Sequence, residues 1–303
     1  MSVQDFFLKY VHIIEIETSS FCNRTCSFCG NAVIDRHSEK KFMSEKCYTS
    51  FLNTLAELEY NKIICFNRYN EPFADRSILD RIAQARQKLP KADLICFSNS
   101  DYLDAGYLDE ICAAGLNVLN IQSYSTSKKD IRKCMDEILE KIGIKSKTVR
   151  EDEVGVEYLL DYPGMTVTVQ YKNFTVYGNP RGGLIKAFEK DYINGPCYQP
   201  LMTIVVDHTG DVMPCCHLRS DYEGHTPYIL GNINKNSITE VYGGSKAKAF
   251  RKRLLAGDRP TCCQYCGDNK EAFVKIKPYY KDTNILEELL LIPYYFRKDP
   301  DFV

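Results

Sequence analysis

The sequence predicts an α/β chain: a partial (β/α) barrel followed by a small cysteine-rich domain of β-hairpin and helix. Three observations carry this. From residue 12 to about residue 172, strand-like and helix-like segments alternate. The CxxxCxxC triad Cys22, Cys26 and Cys29 falls directly after the first strand-like segment. Further cysteines, Cys197, Cys215-Cys216, Cys262-Cys263 and Cys266, gather in residues 195–266. Repeated β–α units imply parallel strands joined by right-handed crossovers, with the site at the strand C-termini.

In chain order, residues 12–18 alternate apolar and polar side chains and read as a first strand that delivers the triad loop. Ser44 caps a helix whose Tyr48, Phe51, Leu52, Leu55 and Leu58 share one face. Strand 62–66, helix 77–89, strand 93–98 and helix 104–114, stopped by Gly115, follow. Residues 117–122 form the next strand. A Ser127–Asp130 capping pattern opens a helix that closes near Gly143, and 165–171 is a further strand. Residues 145–163 lack periodicity and are expected to be an irregular connection. Five or six strands give a truncated barrel, open on one side.

The 44% hydrophobic and 26% charged content is that of a globular protein, and 303 residues suffice for one or two domains. A net charge of −1 gives no global field to attract nucleic acid or an anionic membrane, so neither partner is expected. Residues 1–10 lack a basic stretch leading into a long apolar run, and no stretch of about 20 apolar residues occurs. A cytoplasmic location is expected. Fourteen cysteines without a secretory signal argue for metal rather than disulfides. Cys47, Cys65, Cys96, Cys112 and Cys134 stand alone in apolar segments and are assigned to packing.

The triad points to open coordination. Structural zinc and iron–sulfur sites normally take four protein ligands, so three thiolates leave one position free. The alternatives are a redox CxxC at Cys26/Cys29, which does not call for Cys22, and a zinc site completed by His37, which lies on a charged stretch beyond usual ligand spacing. On this spacing the chain resembles the radical S-adenosylmethionine (SAM) superfamily. The resemblance implies a [4Fe–4S] cluster on Cys22, Cys26 and Cys29, with SAM on the fourth iron. It also implies that the backbone of Phe28 meets the adenine. Glu71, in Tyr69-Asn-Glu-Pro72, departs from the superfamily's glycine-rich pattern but keeps the acid that binds the SAM ammonium. Ser98 and Asn99 end the third strand where a SAM-contacting turn is expected, and Asn120 matches a polar SAM contact more loosely.

Gly195-Pro-Cys197 precedes a hairpin, 201–207 and 212–216, turned at Thr209-Gly210, which brings Cys197 and Cys215 together. The order Cys197, Cys215, Cys263, Cys266 resembles the SPASM/Twitch extension of radical SAM enzymes in its shorter Twitch form, which implies one auxiliary [4Fe–4S] cluster on those four thiolates. Cys216 and Cys262 are doublet neighbours that could substitute, and a zinc ribbon would satisfy the same residues. The expected organisation is a radical SAM core at 1–190, the auxiliary domain at 191–275 and a closing segment at 276–303. A helix at 245–255 is expected to turn Phe250, Leu254 and Leu255 inward and to carry a solvated basic face of Lys246, Lys248, Arg251, Lys252 and Arg253. Arg181, in a glycine-rich turn between the two cysteine regions, is the candidate catalytic residue, holding substrate oxygen or the SAM carboxylate.

The implied function is that of an oxidoreductase. SAM is cleaved to a 5′-deoxyadenosyl radical that takes hydrogen from a hydroxylated, carbohydrate-like small molecule, and the auxiliary cluster accepts the second electron. A flavodoxin or ferredoxin is the expected electron donor. The alternative is a maturase that epimerises or crosslinks a ribosomally made peptide. Against it, only about ten residues precede the first strand, which leaves no room for a peptide-recognition domain.

Overall fold

The alternation in residues 12–18 produces β1 (Ile13–Ile16), the strand about which the sheet is organised. The computed structural model describes residues 2–124, 131–152, 155–174, 178–189 and 195–266. Helices α2 (Glu45–Glu57), α3 (Ser77–Lys88), α4 (Ala105–Ala114) and α5 (Ile131–Ile142) alternate with β2 (Ile63–Cys65), β3 (Asp93–Ser98) and β4 (Val118–Ser123). Ser44 caps α2 by accepting the Cys47 N–H, and Asp104 caps α4 through Tyr107. Gly115 ends α4 at φ 100°, a left-handed conformation that favours glycine. The capping pattern at 127–130 and the segment 276–303 lie outside the described residues.

Strands β5 (Ser146–Asp152), β6 (Gly155–Leu160) and β7 (Thr166–Lys172) follow. The region expected to be irregular is therefore a β5–β6 hairpin, antiparallel to β7. Strand β5 is exposed along almost its whole length because it forms the edge of the sheet. It buries no apolar face, so it shows no alternation. Its charges are those by which natural edge strands resist pairing with other chains.

The second surprise is β8 (Thr203–Val206), which follows the short helix α6 (Gln199–Met202) and pairs parallel with β1. The hairpin of β8 and β9 (Asp211–Met213), with β10 (Gly231–Asn232), thus extends the main sheet rather than standing apart. The strand order is β10-β9-β8-β1-β2-β3-β4-β7-β6-β5, and β8-β1-β2-β3-β4-β7 are parallel.

One face carries the main core: Ile14, Ile64, Leu94, Leu119 and Val167 pack with Leu52 of α2, Ile82 of α3 and Leu108 of α4. The other face begins with a small apolar layer, Ile63, Ile95 and Val118. Further along the strands it turns polar, with Asn120, Gln122, Thr168 and Gln170 all buried. A helix that the sequence did not announce, α1 (Val3–Tyr10), opens on a Ser2/Asp5 capping box. It sets Phe7 edge-on against Tyr242 of α7 (Ile238–Gly243) at 5.4 Å. On α8 (Ser245–Leu255), Arg251 is a correction to the expected basic face. It is buried, donates to the Tyr242 carbonyl (2.9 Å) and stacks on that ring at 4.2 Å. Among the described residues, no helix is long and apolar enough to cross a membrane.

Candidate active site: two cysteine-lined regions

The triad loop leaves the C-terminal end of β1, and buried charge fixes its course. Arg36, 4% exposed, donates to the Ser20 carbonyl (3.0 Å) and pairs with Asp221 (2.8 Å) and Glu17 (3.4 Å). The Cys22 N–H donates to the Arg36 carbonyl (3.1 Å) and the Cys29 N–H to that of Cys26 (2.9 Å). Burial pushes the Cys22 thiol up to about 12 and Cys26 up to about 11, and neighbouring thiols of the triad add to both shifts. Three partly buried thiols that repel one another once ionised suit a cationic iron cluster, because the metal supplies the charge that ionisation needs. Among the described residues, no three His, Cys, Asp or Glu side chains stand close enough to share a single metal ion.

Glu71, Ser98 and Asn99 converge beside this loop. The Glu71 carboxylate is 3% exposed and accepts from Ser98 Oγ (2.8 Å), the Asn99 N–H (2.7 Å) and the Phe73 N–H (3.2 Å). Burial nevertheless raises its pKa to about 7, the three donors opposing the shift. Its charge reaches Cys22, whose pKa it helps to raise. Asn99 donates to Asn23 (2.8 Å), which with Arg24 binds Asp101, so the strand-end turn is tied to the triad loop. Phe28 lies face to face with Phe174, centroids 3.7 Å apart, and 5.3 Å from Tyr124. Asn120 stands deeper, accepting from Thr168 (2.8 Å) and Gln170 (3.1 Å).

The second region is a small cavity under α8. Cys197, Cys215, Cys262, Cys263 and Cys266 line it, closed off by Phe250 and Leu254. Cys216 does not line it; its carbonyl accepts from Tyr69 Oη (3.0 Å) and its sulfur lies 3.8 Å from His217. Burial raises the Cys215 thiol strongly, with Cys266 and Cys197 adding to the effect. Cys263 is raised too, by its hydrogen-bonded neighbour Cys262, by burial, and by Cys215 and Cys197. Cys197, Cys215, Cys263 and Cys266 therefore line one small cavity, with Cys197 acting on both Cys215 and Cys263, and Cys266 acting on Cys215, a donor set that suits a fully ligated cluster. Cys262 differs from them: hydrogen bonds with Cys263 and Tyr228 lower its pKa.

Arg181 sits between the two regions. Its Nη1 is 3.2 Å from His217 Nδ1, and its charge acts on Tyr69. The turn that presents it has φ 51° at Arg181, 68° at Gly182 and 91° at Gly183. A Cβ on Gly182 would come within 2.5 Å of His225 Nε2, so close approach as well as φ requires glycine there. The neighbouring Asn179 donates to Cys266 Sγ (3.4 Å).

Three residues of this architecture escaped the reading of the sequence. Arg68 and Tyr69 bridge the loop after β2 to Cys215 and Cys216. Gln122, 4% exposed, has its amide nitrogen buried without a hydrogen-bond partner among the described residues. Period-two alternation from Val118 would have placed Gln122 on the polar face with Asn120; for Arg68 and Tyr69 no local signal exists.

Residues 197–268 match the SPASM iron–sulfur cluster-binding domain family. The S-adenosyl-L-methionine-dependent 2-deoxy-scyllo-inosamine dehydrogenase of Niallia circulans is 25% identical over 263 residues, covering 86% of this chain and 94% of the relative. Two solved structures of BtrN share the fold over the same 86% of this chain and 94% of theirs. One, in complex with AdoMet and 2-DOIA, has a TM-score of 0.64 at 23% identity; the other, in an open conformation, has 0.58 at 22%. Residues 197–268 thus carry a SPASM-type iron–sulfur cluster-binding domain, and the chain as a whole is similar to a SAM-dependent dehydrogenase. It is a SAM-dependent oxidoreductase whose cofactors are S-adenosylmethionine and [4Fe–4S] clusters.

Proposed function

We propose that this enzyme dehydrogenates an alcohol carbon of a hydroxylated, carbohydrate-like small molecule. The observation that carries the reading is the pairing, in one chain, of an open three-thiol loop with a second, small cavity lined by Cys197, Cys215, Cys263 and Cys266. A relative spanning 86% of the chain is named for dehydrogenating 2-deoxy-scyllo-inosamine, which supports the same class of substrate here. Cys22, Cys26 and Cys29 would hold the SAM-binding cluster, and Cys197, Cys215, Cys263 and Cys266 the auxiliary one. When bound, these groups supply the 5′-deoxyadenosyl radical and the acceptor for the substrate's second electron.

The protein's part is to bind and orient. Glu71, held by Ser98 and Asn99, offers a carboxylate to the SAM ammonium, a charge-assisted hydrogen bond. The buried amides of Asn120, Gln122 and Gln170 give the inner face of the sheet donors and acceptors of the kind a polyol requires, and an unpartnered buried donor such as Gln122 Nε2 gains most from a ligand hydroxyl. Arg181, beside His217, is placed to hold a substrate oxygen. An acidic carrier of the flavodoxin or ferredoxin kind would reduce the first cluster.

The test uses a polyol or aminocyclitol substrate deuterated at the reacting carbon. Deuterium should appear in 5′-deoxyadenosine with one carbonyl product per SAM consumed. Replacing Cys263 and Cys266 together should spare uncoupled SAM cleavage and abolish the carbonyl product. Product at the wild-type rate from that double variant would make the second region structural and overturn the reading.

A further inference from the structure

The seven residues 66–72 face both cysteine regions. Glu71 points its charge at the triad, while Arg68 and Tyr69 reach the second region, the Tyr69 ring passing beside Gly30 on the way. Arg68 Nη2 donates to the Cys215 carbonyl (3.3 Å), and the guanidinium lies 4.7 Å from the Tyr69 ring centroid. Tyr69 Oη donates to the carbonyl of the next residue, Cys216, and Arg219 covers the ring at 4.1 Å. Two consecutive carbonyls of the cysteine loop thus accept from two consecutive residues of the SAM loop. Arg68 also acts on the Cys215 thiol itself, its positive charge opposing the rise that burial causes.

The surrounding charges do not cancel this one. Glu17 feels Arg68, but it also accepts the Tyr69 N–H (2.7 Å) and pairs with Arg36. Glu15 is a more distant influence on β1. Asp221 is taken up by Arg36 and Arg219. Arg181, against the cavity-lining His217, and the buried Arg259, which lines the cavity and donates to the carbonyls of Cys263 (3.3 Å) and Cys266 (3.5 Å), add further cations that act in the same sense. Reducing an iron–sulfur cluster by one electron adds a negative charge. A fixed cation in a water-poor setting, with hydrogen bonds to ligand-bearing residues, therefore favours the reduced form.

We infer that Arg68 is a positioning residue that raises the reduction potential of the cluster assigned to Cys197, Cys215, Cys263 and Cys266, biasing it toward accepting an electron. Arginine suits this task because its charge is permanent and its planar fork reaches a carbonyl while stacking on a ring. The inference rests on the proposed function, which puts an electron-accepting cluster in that pocket. It adds a residue that links the loop after β2 to that cluster and biases the direction of electron flow.

The test is an EPR-monitored redox titration of the full chain, reconstituted anaerobically with Cys22, Cys26 and Cys29 replaced by alanine so that only the second site holds iron. In this background Arg68→Gln should lower the potential enough to shift the reduced-to-oxidised ratio at least tenfold at fixed potential, which is 59 mV for one electron. Arg68→Lys keeps a charge but loses the fork, and should shift the ratio threefold or more in the same direction. With the triad intact, the first cluster should move less than twofold in either variant. An unchanged second potential in Arg68→Gln, with about four irons retained, overturns the inference and leaves the proposed function standing. Should Arg68→Gln hold no iron, the charge-free Arg68→Met decides in its place, and a wild-type potential there overturns the inference. Absence of iron from the second site with Arg68 intact removes the inference and the proposed function together.

Discussion

Glu71 is a buried acid, and the contact proposed for it with the SAM ammonium makes ligand affinity pH-dependent in a calculable way. Its pKa is raised from 4.5 to about 7, chiefly by burial. A folded-state pKa above the unfolded one means that the folded chain keeps the proton as pH rises from 4.5 to 7. Stability then falls by about 3 kcal/mol across that window and is flat above it. In the proposed contact, the ionised carboxylate is the form that would meet the SAM ammonium. About three-quarters of it is ionised at pH 7.5 and about a tenth at pH 6, so acidification over this range should weaken SAM binding about eightfold. Glu71→Gln removes the charge and should weaken binding at pH 7.5 by about 1.5–3 kcal/mol, from tenfold to over a hundredfold. The assay is SAM affinity by anaerobic equilibrium dialysis at pH 6, 6.5, 7 and 7.5, with iron content measured on each sample. Dividing wild-type by Gln-variant affinity cancels the titration of SAM itself, and this ratio should fall about eightfold from pH 7.5 to pH 6. A constant ratio, or a Gln variant binding within twofold of wild type with full iron, would refute the reasoning and return Glu71 to holding the 98–99 turn.

Five thiols line the second cavity and a cubane takes four, so single substitutions should separate them. Cys262→Ala and Cys216→Ala should keep about eight irons per chain, whereas Cys215→Ala and Cys266→Ala should lose about four; equal losses from all four variants would contradict the assignment. Arg36→Met strands Glu17 in the interior and frees the strap after the triad, and should cost about 3–5 kcal/mol, read as a lowered urea midpoint. Retention of the wild-type midpoint would show that Arg68 and the Tyr69 N–H suffice to hold Glu17.

The sequence by itself determined what short-range periodicity and ligand spacing encode. Strands β1 to β4, helices α2 to α4 and the stop at Gly115 follow from patterns within a dozen residues, since burying one face of a helix or strand demands them. The triad and the grouping of the later cysteines were equally local. Tertiary structure decided whatever depends on partners far along the chain. Strand β5 is almost wholly exposed and is held by main-chain pairing with β6, so no side-chain pattern announces it. The docking of β8 on β1 joins residues about 190 apart, and spacing within either segment carries no trace of it. Within the Cys215-Cys216 doublet, the fold turned Cys215 into the cavity and left the Cys216 carbonyl to receive Tyr69 from the loop after β2. Arg251 sits among lysines in the sequence yet is buried by Tyr242, because a guanidinium can stack and donate where an ammonium would stay in water. The pKa of Glu71 belongs to the same category: the acid is visible in the sequence, but the burial that holds it near neutrality exists only once β2, β3 and the triad loop have closed around it.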